Sequence, residues 1–303
     1  MSRLLGLDFG GTNIKVVIIA AARGVVPEVV WSDQRPTRAE GGPDVVVGEL
    51  VAAGRDAVEA HGPIDAVGLG IPGVFDREAG TILLFPNFPG EWAGQPIRRP
   101  ISEALGLPVA MINDARAFTL AEGTIGAGRG CRSIVAMTLG TGIGGGVMID
   151  GKLVTGVSGR AGEVGHQIVE IDGPLCGCGN RGCVESFTRA GVLTELAGRD
   201  TVEEVYREAA AGDERSAAAI ARVADYLGVA LANMVTVIGP ERIVVGGGVM
   251  AGGEQVLDPI RQAVLRHVTL APPETISVVA AELGTMAGAI GAALAARSIL
   301  PQA

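Results

Sequence analysis

The chain has 303 residues and a formal net charge of −9, with 48% apolar but only 3% aromatic side chains. That length carries one large domain or two ordinary ones, with a core built from Ala, Val, Leu and Ile. The acidic balance, with no dense Lys/Arg run, argues against a nucleic-acid partner. No apolar leader opens MSRLLGLDFGGTN and no unbroken apolar run reaches the ~18 residues of a membrane span, so a cytoplasmic protein with reduced thiols is expected.

Two apolar strands are predicted within LLGLDFGGTNIKVVII (residues 4–19), joined by a turn of Gly, Gly, Thr and Asn. DVVVGELVAAGRDAVEA (44–60) spaces its apolar residues as a helix does. A strand at DAVGLGI follows, then the loop-rich PGVFDREAGTILLFPNFPGEW, a helix near 97–105 and a strand at PVAMI. A turn at Asn113-Asp114 then opens the helix ARAFTLAEG. SIVAMTLGTGIGGGVMIDGKLVT (133–155) again reads as strand, Gly/Thr turn and strand, with Asp150-Gly151 as a hairpin turn. After a cysteine-bearing loop come helices through about 186–238, the strand RIVVGG, a helix near 253–268 and the strand TISVVAA. A helix from about Gly284 closes the chain, and its small residues Gly284, Gly288 and Gly291 point to close helix packing. LDFGGTNIKVVI and TLGTGIGGGVMI share one plan, so two similar α/β halves with a cleft between them are expected, the crossover falling near Asp114.

The two Gly-rich turns carry the first chemistry. Gly140-x-Gly142-x-x-Gly145 has the spacing of a dinucleotide-binding turn, but that turn requires a following helix and here a hairpin follows. In DFGGTN, Asp8 stands directly ahead of the glycines, where its charge would repel a bare phosphate. A Mg²⁺ between carboxylate and phosphate resolves the conflict. The N–H groups of Gly10, Gly11 and Thr12, with the side chains of Thr12 and Asn13, then surround phosphate oxygens. Thr138, Thr141 and Gly142 of the second turn would grip the same phosphate chain. Lys15 reads equally as a phosphate contact or an exposed strand lysine.

Three of the four cysteines crowd into LCGCGNRGC, and His166, Cys176, Cys178 and Cys183 form H-x9-C-x-C-x4-C. One imidazole and three thiolates at this spacing read as a closed, tetrahedral structural zinc site. A disulfide suits neither a reducing compartment nor the short Cys176–Cys178 spacing. Inert thiols would leave Gly177, Gly179 and Gly182 unexplained, whereas glycines let backbone curl around an ion.

Together these motifs resemble the sugar-kinase/actin-like ATPase superfamily, with DFGGTN and LGTGIGGG as its two phosphate loops. The cysteine segment is similar to that of the ROK family, which comprises repressors, open reading frames and kinases. The resemblance implies two similar actin-like ATPase (ribonuclease H-like) α/β domains flanking a cleft. A small N-terminal domain would span 1–113, completed by a C-terminal helix at about 285–303, and a large domain with the zinc loop would span 114–284. It further implies a homodimer or homotetramer that uses ATP, Mg²⁺ and a structural Zn²⁺.

Under that resemblance Glu163, His166 and Glu185 hold sugar hydroxyls, and the zinc pins their loop. Asn113-Asp114 reads on its own as a helix N-cap, placed at the carboxyl end of a strand where ligands also bind. The family likeness makes Asp114 the base for the attacking sugar hydroxyl, with Asn113 on a neighbouring hydroxyl. Gly73 in IPGVFD and Asn87 in FPNFPGEW would complete the sugar contacts; the latter stretch resembles N-L-P-x-W of ROK glucokinases, lengthened by one residue. Gly246, Gly247 and Gly248 would meet the adenosine end, in a turn that also serves as a tight strand-to-helix connection. The implied activity is ATP-dependent phosphorylation of the 6-hydroxyl of a hexose, glucose first. N-acetylmannosamine, N-acetylglucosamine, mannose, fructose or a cyclitol are the alternatives. The family's E-N-D-A-N-A pattern departs here to Ile112 before Asn113 and Arg116 in place of the second Asn, which puts the preferred sugar in doubt. The alternative from another class is a sugar-sensing ROK transcriptional regulator lacking its DNA-binding domain; such regulators carry a helix-turn-helix ahead of the first phosphate loop, and none is expected before a strand that begins by about residue 4.

Overall fold

The computed structural model describes residues 1–85 and 88–301. The chain forms two compact units, Met1–Ile125 with Thr285–Ala303, and Gly126–Gly284.

In the first unit β1 (Ser2–Phe9) and β2 (Asn13–Ala21) form the first expected hairpin, and β3 (Glu28–Pro36) adds an outer strand. Then come α1 (Gly42–His61), β4 (Ala66–Ile71) and the small hairpin β5 (Val74–Asp76) with β6 (Thr81–Leu84). They are followed by α2 (Arg98–Leu105), β7 (Val109–Asn113) and α3 (Asp114–Thr124). The sheet order is β3-β2-β1-β4-β7; β1 runs antiparallel to β2 and parallel to β4, and β4 parallel to β7. Leu5, Leu7, Val67 and Leu69 point to one core with Val46 and Leu50 of α1. Their strand neighbours Gly6 and Gly68 lie on the opposite face, as a two-residue period requires.

The second unit repeats the plan with β8 (Ile134–Leu139), β9 (Ile143–Ile149) and β10 (Lys152–Leu153). Asp150 (φ 51°) and Gly151 (φ 72°) join the last two, the paired positive angles of a two-residue hairpin turn. A long loop leads to α4 (Glu185–Thr188), α5 (Ala190–Ala197), α6 (Val202–Ala210) and α7 (Glu214–Ile238). Then follow β11 (Arg242–Gly246), α8 (Glu254–His267) and β12 (Val278–Ala280). The order β10-β9-β8-β11-β12 has the same sequence of antiparallel and parallel pairings as the first sheet. Two hairpins alike in sequence thus seed two sheets alike in topology.

By length and composition α7 is apolar enough to cross a membrane, a reading that a search for unbroken apolar runs does not give. More than half of its most apolar 18-residue stretch is buried, with Ala219, Val223, Leu227 and Leu231 in the core of the second unit. It is a core helix, capped by the Asp213 side chain accepting from Ser216 N at 2.8 Å.

The chain returns as α9 (Ala287–Ala296), which belongs to the first unit. A Cβ on Gly6 would lie 2.0 Å from Ala289 O, and one on Gly68 1.7 Å from Ala292 O, so α9 rests directly on the sheet backbone. Gly291 in turn lets it touch α3, where a Cβ would lie 1.8 Å from Ala117 O. That packing keeps α3 in the first unit. The expected boundary at Asp114 is therefore corrected: the first stretch runs on to Ile125, and the second unit starts at Gly126.

Candidate active site and metal centre

In the first unit, Asp8 is the last but one residue of β1 and is buried beneath α9. Its carboxylate touches Gly288 of α9, where a Cβ would come within 2.6 Å of Oδ2, and Gly70 of β4, where one would come within 3.2 Å of Oδ1. Lys15, its register partner on β2, places Nζ 3.7 Å from Asp8 Oδ2. Neither expectation for Lys15 was this one. Burial pushes the Asp8 carboxyl above its ordinary range, and the Lys15 ammonium opposes part of that rise. The turn beyond is closed at Gly10, whose N–H donates to Asp8 O at 3.1 Å and Asn13 O at 3.2 Å. Thr37 Oγ1 donates to Gly10 O at 2.6 Å and braces it from outside. Gly11 and Thr12 stay exposed at the tip, and Asn13 is half-buried. Beneath the tip Phe9 is gripped by Phe85, Phe88 and Trp92, at ring distances of 5.1, 4.9 and 5.5 Å. Sequence reading missed this cluster; four aromatics in so poor a chain were its signal.

Asn113 closes β7 and caps α3, and Asp114 is the first helical residue. Asn113 Oδ1 accepts from Ala115 N at 3.1 Å and Arg116 N at 3.3 Å, so the capping role is real. Its Nδ2 donates to Gly73 O at 3.3 Å, which brings two of the expected sugar contacts together. Gly73 itself has φ +82°, the left-handed region that favours glycine. Ala115 N donates to Asp114 Oδ1 at 2.8 Å, fixing the carboxylate at the positive end of the helix. Asn87 lies outside the described residues.

In the second unit, Gly140 N donates to Gly142 O at 2.9 Å to close the Gly/Thr turn, with Thr141 exposed at its tip. No helix follows Gly145, which lies inside β9, as the rejection of a dinucleotide fingerprint requires. Gly247 has φ +91°, and a Cβ there would meet Leu139 O at 2.3 Å; glycine is demanded by the turn itself. Its neighbour Gly246 ends β11 in register with Thr138, while Gly248 has open space around it. The expected adenosine turn and the second phosphate turn thus lie side by side within one unit.

The metal candidate is assembled by the loop after β10. His166 ends a short turn in which Gly165 packs against Ile143, where a Cβ would come within 2.1 Å of the carbonyl oxygen. The Glu163–His166 segment is thereby seated on the strand that leaves the second Gly/Thr turn. Pairing of Ile168 with Cys183 and of Leu175 with Arg181 folds the cysteine stretch back on itself. Gly182 (φ +71°) allows that fold, since a Cβ would sit 1.6 Å from Glu170 O. Gly179 also has positive φ, whereas Gly177 has neither a positive φ nor a neighbour near its missing Cβ, so its expected role in the curl is not needed. One ligand atom from each of His166, Cys176, Cys178 and Cys183 lies within 4.8 Å of all the others. A tetrahedral zinc with bonds of about 2.1–2.3 Å puts neighbouring ligand atoms roughly 3.6–3.8 Å apart. Cys178 Sγ and Cys183 Sγ are 3.7 Å apart, and Cys176 Sγ and His166 Nδ1 are 3.6 Å apart. The donor set fits. Burial pushes the Cys176 thiol up to about 12 and raises Cys183 as well, while the Asn180 backbone holds exposed Cys178 below its ordinary value. Without a cation the buried thiols keep their protons.

Glu185, just beyond the last cysteine, joins the loop to the turn. Its Oε2 accepts from Ile143 N at 2.8 Å and its Oε1 lies 3.5 Å from Cys176 Sγ. Gly142 is glycine partly because a Cβ would lie 2.7 Å from that same Oε2. Glu163 is exposed, and its carbonyl accepts from His166 N at 3.1 Å.

Known proteins resemble this chain over nearly its whole length. The glucokinase of Thermotoga maritima is 36% identical over 96% of each chain. A ROK hexokinase structure from Thermus thermophilus superposes with a TM-score of 0.83 at 36% identity, over 98% of both chains. A ROK family glucokinase structure from Streptomyces griseus, in complex with glucose and AMPPNP, gives a TM-score of 0.81 at 32% identity, covering 98% of this chain and 100% of that one. Residues 4–299 match the ROK family as a whole, and the chain belongs to that family.

Proposed function

We propose that the chain transfers the γ-phosphoryl group of ATP to the 6-hydroxyl of a hexose, with glucose as the first candidate, in the cytoplasm. The observation that carries the reading is the Asn113–Asp114 pair, held by cap and helix at the carboxyl end of β7 with Gly73 alongside. Its support from outside is the glucokinase relatives. In this reading Gly73, Asn113, Asp114, Glu163, His166 and Glu185 bind sugar hydroxyls. Asp8, Gly10, Gly11, Thr12 and Asn13 receive the phosphates in the first unit, and Thr141 and Gly142 do so in the second. Gly246, Gly247 and Gly248 face the adenosine.

Asp114 takes the proton of the 6-hydroxyl as that oxygen attacks the γ-phosphorus and the bond to the β-phosphate oxygen breaks, releasing ADP. Phosphoryl transfer is loose and asks mainly for alignment and charge neutralisation, so an ionised aspartate at a helix N-terminus serves as base and orienter. Mg²⁺, when bound, neutralises phosphate charge opposite Asp8. Zinc, when bound, holds His166, Cys176, Cys178 and Cys183 as a staple with no open position for chemistry. Glu185 and Glu163 are then presented at fixed angles by the loop.

A coupled assay of ADP release across hexoses, N-acetylhexosamines and cyclitols tests the reading. Asp114→Asn should lower kcat by about 10²–10⁴-fold while glucose still binds calorimetrically. Retained turnover in that variant, or no sugar-dependent ADP release by the unaltered protein, refutes it.

A further inference from the structure

Arg116 stands where the family pattern has its second Asn, and its side chain is put to use inside the first unit. It is only 4% exposed, a rare state for an arginine. Its Nη1 donates to Asn113 Oδ1 at 2.9 Å, beside the two backbone donors Ala115 N and Arg116 N. An amide oxygen has two lone pairs, and here three N–H groups converge on it. Of the Asn113 amide, the NH₂ end alone faces Gly73 O. Either end of an Asn can in principle turn to a ligand. A buried guanidinium cannot accept a hydrogen bond, so it forbids the flipped amide, which would aim NH₂ at Nη1.

We infer that Arg116 is a positioning residue that, together with the two cap N–H groups, locks the Asn113 amide in one orientation, so that it can only donate to the substrate and selects a sugar oxygen able to accept. The inference rests on the proposed kinase reading. It goes further in assigning to this chain's departure from the family pattern a part in sugar discrimination. In this reading Arg116 acts through Asn113.

The test compares the unaltered protein with Arg116→Met, which keeps length and helix preference without a donor, and with Arg116→Lys, which keeps charge without the planar fork. Each is assayed with glucose and a set of monodeoxyglucoses. In the unaltered protein one deoxy sugar, lacking the oxygen that Asn113 addresses, should be rejected more strongly than the rest. Arg116→Met is expected to raise the glucose KM about tenfold and to shrink that one discrimination by a similar factor, since an amide held by the two cap N–H groups alone keeps its donor less firmly in place. Arg116→Lys should recover part of both. Asn113→Asp, which keeps the cap and gains a charge-assisted bond to Arg116, should lose the same discrimination while its Tm holds. An Arg116→Met protein that loses kcat/KM equally for every sugar, or that keeps the deoxy pattern, overturns the inference. If no sugar is phosphorylated by the unaltered protein, the kinase reading itself has failed, a result distinct from either.

Discussion

The two sheets of this protein share one topology and differ in what they place at equivalent points. Register matches Asp8 with Gly70 in the first sheet and Thr138 with Gly246 in the second. The antiparallel partner of Asp8 is Lys15, and that of Thr138 is Gly144. A pair of a buried acid and a half-buried base thus occupies one hairpin and a neutral pair the other. The second hairpin obtains its carboxylate from elsewhere, when Glu185 of the metal loop accepts from Ile143 N. The sheets diverge one step further back as well. Gly6 and Gly68 of the first correspond to Ala136 and Val244 of the second, and in the first a helix lies on bare backbone. The two sheets share a scaffold and differ in the side chains they carry at its equivalent points.

The comparison breaks or sharpens first at Asp8 and Thr138. Asp8→Asn should cut kcat/KM for MgATP about a thousandfold, because a carboxylate opposite a metal-bound phosphate contributes several kcal/mol to the transition state. Thr138→Ala should cost about tenfold or less by removing a single neutral hydrogen bond. Equal losses in steady-state kinetics would mean that the hairpins are not specialised. Next in size is metal removal. Elemental analysis should find one zinc per chain, and chelation should raise the sugar KM about a hundredfold as Glu163 and Glu185 lose their alignment. Rebinding of zinc should release protons, because burial keeps Cys176 protonated until a cation arrives.

A Gly68→Ala substitution comes third. A methyl 1.7 Å from Ala292 O must push α9 away, and the loss, read by denaturant unfolding, should be about 3 kcal/mol. The smallest effect is a pH dependence at Asp8. Its folded-state value lies above its unfolded one, so its contribution to stability is greatest at low pH and falls as pH rises through the folded value. In metal-free protein, Asp8→Asn should match the unaltered chain in acid and become the more stable of the two toward neutrality. The same substitution would then harm turnover and help stability.

Much of this was legible in the sequence because it depends on local chemistry. Strand–Gly/Thr turn–strand appears twice as expected, and Asp150-Gly151 adopts the turn its residues demand. The H-x9-C-x-C-x4-C spacing brings its four ligand atoms together. The strand β3 escaped notice because most of its residues are exposed, which leaves no alternation to read. The hairpin of β5 and β6 was hidden in a Gly/Pro-rich stretch for want of length. The extension of the first unit to Ile125 was invisible because it is set by a contact between α3 and a helix some 170 residues later. Lys15 against Asp8 and Arg116 against Asn113 are likewise matters of register and helix turn, which residue type alone does not reveal.

That distant helix has a consequence for how the protein is made. The second unit is one continuous stretch, Gly126–Gly284, and can collapse while the ribosome is still working. The first unit cannot be finished until α9 emerges, and until then the glycine-lined back of its sheet faces water. The earliest-synthesised half is therefore the last to mature, and loss of the final twenty or so residues should leave it exposed to proteases while its later-born twin survives.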